Sequence, residues 1–309
     1  MKRSIILVIA ISLYSINTFA CDICGCGAGM GYLGVLPQFN QNIAGVRFQY
    51  SNFLHPSSNV NSNDASSQVL EDRFFRTEAW MRYYPADRWQ LFFTVPYSVN
   101  QRLETQRTTE IQGVGDISAN LNYTLVDYGD SITSDWKNLL LMGGGATLPS
   151  GKYQQRDDTK LMLPAGFQVG SGAFSYNLHL IHTLRYRTWG LNTNLRYTFN
   201  GENELTYDYG NQLSAAMALF YWGETKKFAY LPSVGIGLEH FDQDYQYDQL
   251  KEYSGGTFVN LTIGVDLYIK RLLINTFAQI PLSQEIPSAQ PAGKANMGIG
   301  VAYFFGKEE

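Results

Sequence analysis

Beyond residue 20 this 309-residue chain has no apolar run approaching the ~18 to 20 residues that a membrane-spanning helix needs. Its mean hydropathy is −0.19, and helical membrane spans are excluded. Charge is also scarce: Asp, Glu, Lys and Arg make up 16% of residues, against about 25% in ordinary soluble domains. No basic tract exists and the net charge is −4, so nothing here points to a nucleic-acid partner and none is expected. Cysteine is limited to Cys21, Cys24 and Cys26. The four histidines, His55, His179, His182 and His240, are scattered.

What the chain does have is a leader and an aromatic, glycine-rich body. Lys2 and Arg3 precede an apolar run from Ile5 to Ile11 that weakens through Leu13 to Ile16, and Thr18-Phe19-Ala20 offers small residues at the two positions a signal peptidase reads. Residues 1–20 are therefore expected to be a signal peptide, cleaved to leave Cys21 at the mature N-terminus. A lipobox with lipid on Cys21 is the alternative, although Thr18 stands where Leu, Val or Ile is preferred. The body carries 21 Tyr, 18 Phe and 29 Gly, a bias that suits a β-barrel with aromatic girdles.

Alternation carries the fold. In a membrane barrel apolar side chains face lipid and polar ones the lumen with period two. Ile117, Ala119, Leu121, Tyr123 and Leu125 alternate with Asp116, Ser118, Asn120, Asn122 and Thr124, and the stretches 189–199 and 257–269 repeat the pattern. The same template places strands near 42–53, 73–84, 89–102, 115–125, 138–148, 170–184, 189–199, 211–222, 228–241, 257–269, 272–281 and 295–305. The expected fold is all-β: a transmembrane, antiparallel, up-and-down β-barrel of about 12 strands over 42–309. A strand of ten residues rising ~3.3 Å each and tilted ~40° covers roughly 25 Å, the height of the lipid-facing band. Short links at 85–88, 185–188, 223–227 and 270–271 alternate with long ones at 54–72, 103–114, 149–169, 200–210, 242–256 and 282–294. Short periplasmic turns and long outer loops put both termini on the periplasmic side. The link 126–137 breaks this rule, being long where a short turn is expected. A soluble β-sandwich shares the alternation but predicts neither a leader nor tyrosines at so many strand ends.

Four features could carry chemistry. Cys21, Cys24 and Cys26 form a CxxCxC cluster that could pair as a disulfide or redox couple, or bind a soft metal, Cu(I) or Zn, through thiolates. Gly25 and Gly27 exclude a c-type haem attachment. The 21–41 segment, Gly-rich from Gly27 and followed by Leu33, Val35, Leu36 and Pro37, could fold into the lumen as a plug. Charges expected to point inward are Arg76, Glu78, Arg82, Arg102, Asp116, Arg196, Glu239 and Asp266, with His179 beside them; in a narrow barrel such groups either line a conduit or pair to fill it. Gly143-Gly144-Gly145 lacks the Lys-Ser/Thr of a phosphate loop and is read as permitting curvature or close approach of the N-terminal segment. A barrel-embedded hydrolase would need Ser, His and a polar orienter on one face near the outer rim, and no such grouping is visible, so no catalytic residue is assigned.

Gly113-Val114-Gly115-Asp116, entering a strand, and Leu148-Pro149-Ser150-Gly151-Lys152-Tyr153, leaving one, resemble motifs of the outer-membrane channel family named for the MetA pathway of phenol degradation. Cys21-Asp22-Ile23-Cys24-Gly25-Cys26 and Leu36-Pro37-Gln38-Phe39 resemble a branch of that family associated with Bacteroidota. The resemblance implies a porin-like transport role in a Gram-negative outer membrane and supplies no catalytic residues. The expected function is a channel or transporter for a small solute, with outer-membrane lipid as surroundings and a periplasmic metal donor as a partner for the cysteines. The competing class is a non-conducting accessory barrel that handles copper or another soft metal.

Overall fold

The computed structural model describes residues 41–55, 70–105, 107–128, 135–288 and 290–306. The expected leader, the plug segment up to residue 40 and the cysteine cluster lie outside the described residues.

Twelve strands form one closed ring. They are β1 (Asn42–Leu54), β2 (Glu71–Ala86), β3 (Trp89–Leu103), β4 in two segments (Thr108–Val114 and Ile117–Tyr128), β5 (Trp136–Leu148) and β6 (Ser175–Tyr186). They continue with β7 (Trp189–Phe199), β8 (Gln212–Tyr221), β9 (Ala229–Phe241), β10 (Gly256–Ile269), β11 (Leu272–Glu285) and β12 (Ala292–Phe305). Each pairs antiparallel with its sequence neighbours, and β12 returns to β1 from Asn42↔Phe305 to Leu54↔Ala292. Closure satisfies the backbone that a free sheet edge would leave bare.

The pleat explains why these residues make strands. On β1, Val46 and Phe48 stand outward, 51% and 42% exposed in the isolated chain, while Arg47, Gln49 and Ser51 between them are buried inside the ring. Two aromatic belts bound the apolar outer surface. At the rim of short turns Trp89 packs on Tyr123, Trp136 on Tyr186 and Trp189 on Tyr221, with centroids 4.9, 4.6 and 5.1 Å apart. Toward the opposite rim Tyr176 stacks on Phe199 at 4.9 Å and Tyr50 lies 5.1 Å from Phe75. Amphipathic rings favour the two water–lipid interfaces, so the belts mark where the hydrocarbon begins and ends.

Two regions depart from the expected layout. Residues 103–114 were expected as an outer loop, but Thr108–Val114 pairs with β3 from Leu103↔Thr108 to Tyr97↔Val114 and prolongs the hairpin. The ladder then slips: Val95 and Pro96 oppose Gly115, Asp116 and Ile117 before pairing resumes at Thr94↔Ser118. Pro96 has no N–H to give, and the extra residue on β4 is a bulge, a device that re-aims a side chain. Here the side chain is Asp116.

The second departure is the link after β5. The sixth strand begins at Ser175 rather than near 170, and residues 149–174 fold back against the ring, with a short 3-10 turn at Ala165–Phe167. Phe167 is fully buried, 5.9 Å from the Phe74 ring and clustered with Ile111, Leu163 and Val169. Asn100 donates to its carbonyl at 2.7 Å, and the Arg102 guanidinium lies 4.8 Å from its ring centroid. Asp116 holds the root of this loop. Its carboxylate accepts from Gly151 N–H at 2.8 Å, Ser171 N–H at 2.7 Å and the Ser171 hydroxyl at 2.6 Å. Ser150 Oγ adds bonds to Ile117 N–H and Gly115 O on the bulge. The two chain segments at the loop root touch so closely that a Cβ on Gly170 would sit 2.6 Å from Gly151 Cα.

Hydrogen bonds to a carboxylate contribute roughly 1.5–3 kcal/mol each. Asp116→Ala is therefore expected to free residues 149–174 while leaving the ring intact. Trypsin cleavage at Lys152, Arg156 or Lys160 should speed up by at least about tenfold, with the heat-modifiable gel migration of the barrel unchanged. Equal cleavage rates in the two proteins would refute the latch.

Candidate functional site

The inward faces of the strands build the site, a polar lumen. Register places Gln90, Asn122, Gly143, His179, Arg196, Ser214 and Glu239 in one cross-strand row from β3 to β9. Asn122 donates to Gln90 Oε1 at 2.7 Å, and Asn122 Oδ1 meets His179 Nε2 across the glycine. A second row runs through Asp266, Asn275, Gly300, Arg47 and Glu78.

The charged residues are placed as follows. Glu78 is buried between Arg47 Nη2 at 2.5 Å and Arg76 Nη2 at 3.2 Å. Arg82 is buried deeper on the same strand, opposite Ile43. Asp72 receives two bonds from Arg102, at 2.7 and 2.8 Å, and one from His55 at 2.8 Å. Asp266 is buried beside Tyr268, and Arg196 lies opposite His179. Of the residues expected to line the lumen, Arg102 and Asp116 are engaged by the folded-back loop, Arg47 emerges as an additional inward cation, and Glu239 faces open space.

That space lies on the wall opposite the loop. Residues 149–174 pack on β2, β3 and β4, whereas a cavity of about 70 Å³ runs along β9 to β1, lined by Glu239, Asn260, Gln279 and Asn296 and capped by Phe241 and Phe258. At the rim of short turns the inward side chains become apolar: Ile43, Trp80, Phe220, Leu231, Leu273 and Phe304 form a buried cluster.

The wall beside this cavity is parted. Pairing between β11 and β12 stops at Gln279↔Asn296; above it β11 pairs with β10 and β12 with β1. Gln284 bridges the gap, donating from Nε2 to Gly293 O and accepting from Gly293 N–H, both at 2.8 Å.

No protein-family model and no curated protein matches the chain. Among solved structures, it is similar to an outer-membrane channel of Pseudomonas putida F1, with a TM-score of 0.64 and 14% identity over 89% of this chain and 98% of that one. It is similar also to the β domain of a Bordetella autotransporter, with a TM-score of 0.52 and 10% identity over 86% of this chain and all of that domain, 100%. The chain has the fold of an outer-membrane β-barrel.

The histidines do not converge. His179 is bonded to Asn177 and Asn122, His55 to Asp72, His182 to Asn138 and His240 to Thr257. None of these bonds joins a histidine to a serine hydroxyl. Among the described residues no three His, Cys, Asp or Glu side chains are grouped to hold a metal. The proposed cysteine ligands lie outside those residues.

The triple glycine has a role that its sequence context did not reveal. The inward positions of Gly143 and Gly145 are filled by neighbours' side chains: Asn122 reaches His179 across Gly143, and Asn177 donates to Asn120 across Gly145 at 3.1 Å. A Cβ on Gly143 would lie 2.0 Å from Asn122 Oδ1, 2.6 Å from the Leu121 backbone oxygen and 2.9 Å from His179 Nε2. Gly143→Ala should thus destabilise the barrel by about 1–3 kcal/mol through overpacking, read as a lower urea midpoint in detergent micelles. Adding Asn122→Ala, which removes the obstructing amide, should restore part of the loss. An additive double variant would refute this account.

Proposed function

We propose that the barrel is a passive channel for a small solute. The observation that carries this reading is the division of the lumen: the folded-back loop is latched to the β2–β4 side, and a short column past Glu239, Asn260, Gln279 and Asn296, walled also by Phe53, Phe241 and Phe258, is left on the other and ends above the apolar cluster of the short-turn rim, which a solute would have to pass. Ion pairing on β1 and β2 neutralises much of the lining, so ion selectivity is weak. The seam between β11 and β12, where the Gln284 amide replaces the ladder, borders the same column. The motifs at 113–116 and 148–153, which resemble those of the MetA-pathway channels, fit this reading because they build the latch.

Purified full-length protein in planar bilayers should give discrete conductance steps. Gln279→Trp and Asn296→Trp, which place an indole in the column, should each lower the unitary conductance by about half or more, and Glu239→Gln should move the reversal potential toward anion permeation. A folded barrel without conductance would overturn the channel reading. If that barrel bound Cu(I) in a way lost in Cys24→Ser and Cys26→Ser, the accessory, metal-handling reading would replace it.

A further inference from the structure

Outside the lipid belt, loops 149–174, 200–211 and 242–255 enclose a second and larger cavity of about 850 Å³. Its walls contain the two most exposed large apolar side chains among the described residues, Tyr247 at 69% and Leu161 at 68%. Both sit on the aqueous side of the membrane, where lipid cannot cover them. Met162, Leu205 and Leu250 extend the apolar surface, and the lining includes five tyrosines.

The cavity is built rather than left over between loose loops. Tyr153 donates to Glu204 at 2.7 Å, while Asn203 Nδ2 and the Tyr209 hydroxyl both donate to Ser171 O, at 3.0 and 3.1 Å. A three-stranded sheet of Tyr207–Asp208, Tyr245–Gln246 and Gln249–Leu250 joins two of the loops, and Tyr207 donates to Asp244 at 2.5 Å. Asp157 anchors the third: the Thr159 hydroxyl, then the Leu161 N–H and the Arg107 charge, hold its carboxyl below the ordinary 3.8. The turn that displays Tyr247 is strained. Tyr247 and Asp248 take φ of 52° and 58° in succession, a pair of positions where hairpins favour Asn-Gly. Such conformations cost about 1–3 kcal/mol each and concentrate at ligand clamps.

We propose that this vestibule binds uncharged amphipathic solutes of the glycoside type, molecules with a flat apolar face and several hydroxyls. Its volume is in the range of small-molecule sites, roughly 300–1,000 Å³. The apolar face would lie on Leu161, Met162 and the Tyr247 ring, and hydroxyls would meet Gln246 and Gln249. Charges on the lining are nearly balanced, Arg102 and Lys251 against Glu104, Asp157 and Glu252, which favours no ionic group. The inference rests on the channel reading for its consequence, capture ahead of the lumen, though binding itself needs no conduction.

Full-length protein in lipid nanodiscs can be titrated with a fluorescent umbelliferyl glucoside and followed by anisotropy. Saturable binding is expected, weakened by at least about tenfold in Leu161→Ser and in Tyr247→Ser and held within about twofold in Tyr247→Phe. Both side chains are exposed, so the variants should keep the heat-modifiable migration of the folded barrel. Unsaturable binding, serine variants with unchanged affinity, equal competition by glucose, or equal binding of umbelliferyl sulfate would each overturn the proposal. Conductance measured on the same preparations separates the two readings: binding without conductance removes the channel and leaves the vestibule, and conductance without binding does the reverse.

Discussion

Every feature of this molecule follows from the need to hydrogen-bond the backbone inside hydrocarbon, where an unpaired N–H or C=O costs several kcal/mol. The β1–β12 ladder meets that need by closing the ring. Closure turns every second side chain inward, toward a lumen too narrow for twelve strands' worth of large residues. Where the ladder is interrupted, side chains stand in for it. Opposite Pro96 the bulge hands its free groups to Ser150, and above Gln279 the Gln284 amide makes with Gly293 the same donor–acceptor pair of bonds a neighbouring strand would make.

The inward residues meet a second demand, pairing much of the charge that they bury. Glu78 is shared by two arginines and Asp72 by Arg102 and His55. Breaking such buried pairs by removing one partner costs about 3–5 kcal/mol, so these charges serve the wall before they serve any solute. Asparagines on β4 and residues on β6 bond over an intervening strand because that strand supplies glycine at the contact. Glu239, on the side the loop leaves free, is the charge best placed to meet a solute.

The strands were legible because lipid on one side and water on the other impose a strict period of two: β7 runs from Trp189 to Phe199, the span the alternation gave. Legibility ended where the lipid does. Thr108–Val114 carries Thr, Glu and Gln on its outward face because that part of the hairpin stands above the hydrocarbon, and without an apolar stripe it reads as loop. The long link after β5 was expected to be an outer loop. Its inward fold depends on Phe167 finding Phe74, Ile111 and Arg102, contacts distant in sequence with no local signature. The link at 126–137 shortens as β4 reaches Tyr128 and β5 starts at Trp136. Alternation assigns the charged positions to a face, but the pairing that separates Glu239 from Glu78 requires the register of several strands at once.

The two short motifs that resemble a channel family meet in space, and what they do there limits what they can say. Asp116 from one motif binds the backbone at Gly151 in the other, and Ser150 binds back to the bulge at Gly115. Their chemistry is that of a loop root, and none of these groups faces the open column. A likeness carried by these residues would therefore report a way of folding a loop into a barrel mouth. On the proposed channel reading, selectivity would belong to surfaces that the latch positions but does not specify, namely the column beside Gln279 and Asn296 and the vestibule under Tyr247. Two barrels can share the first and differ entirely in the second, so the chemistry of the solute has to be read from the outer loops and the free wall.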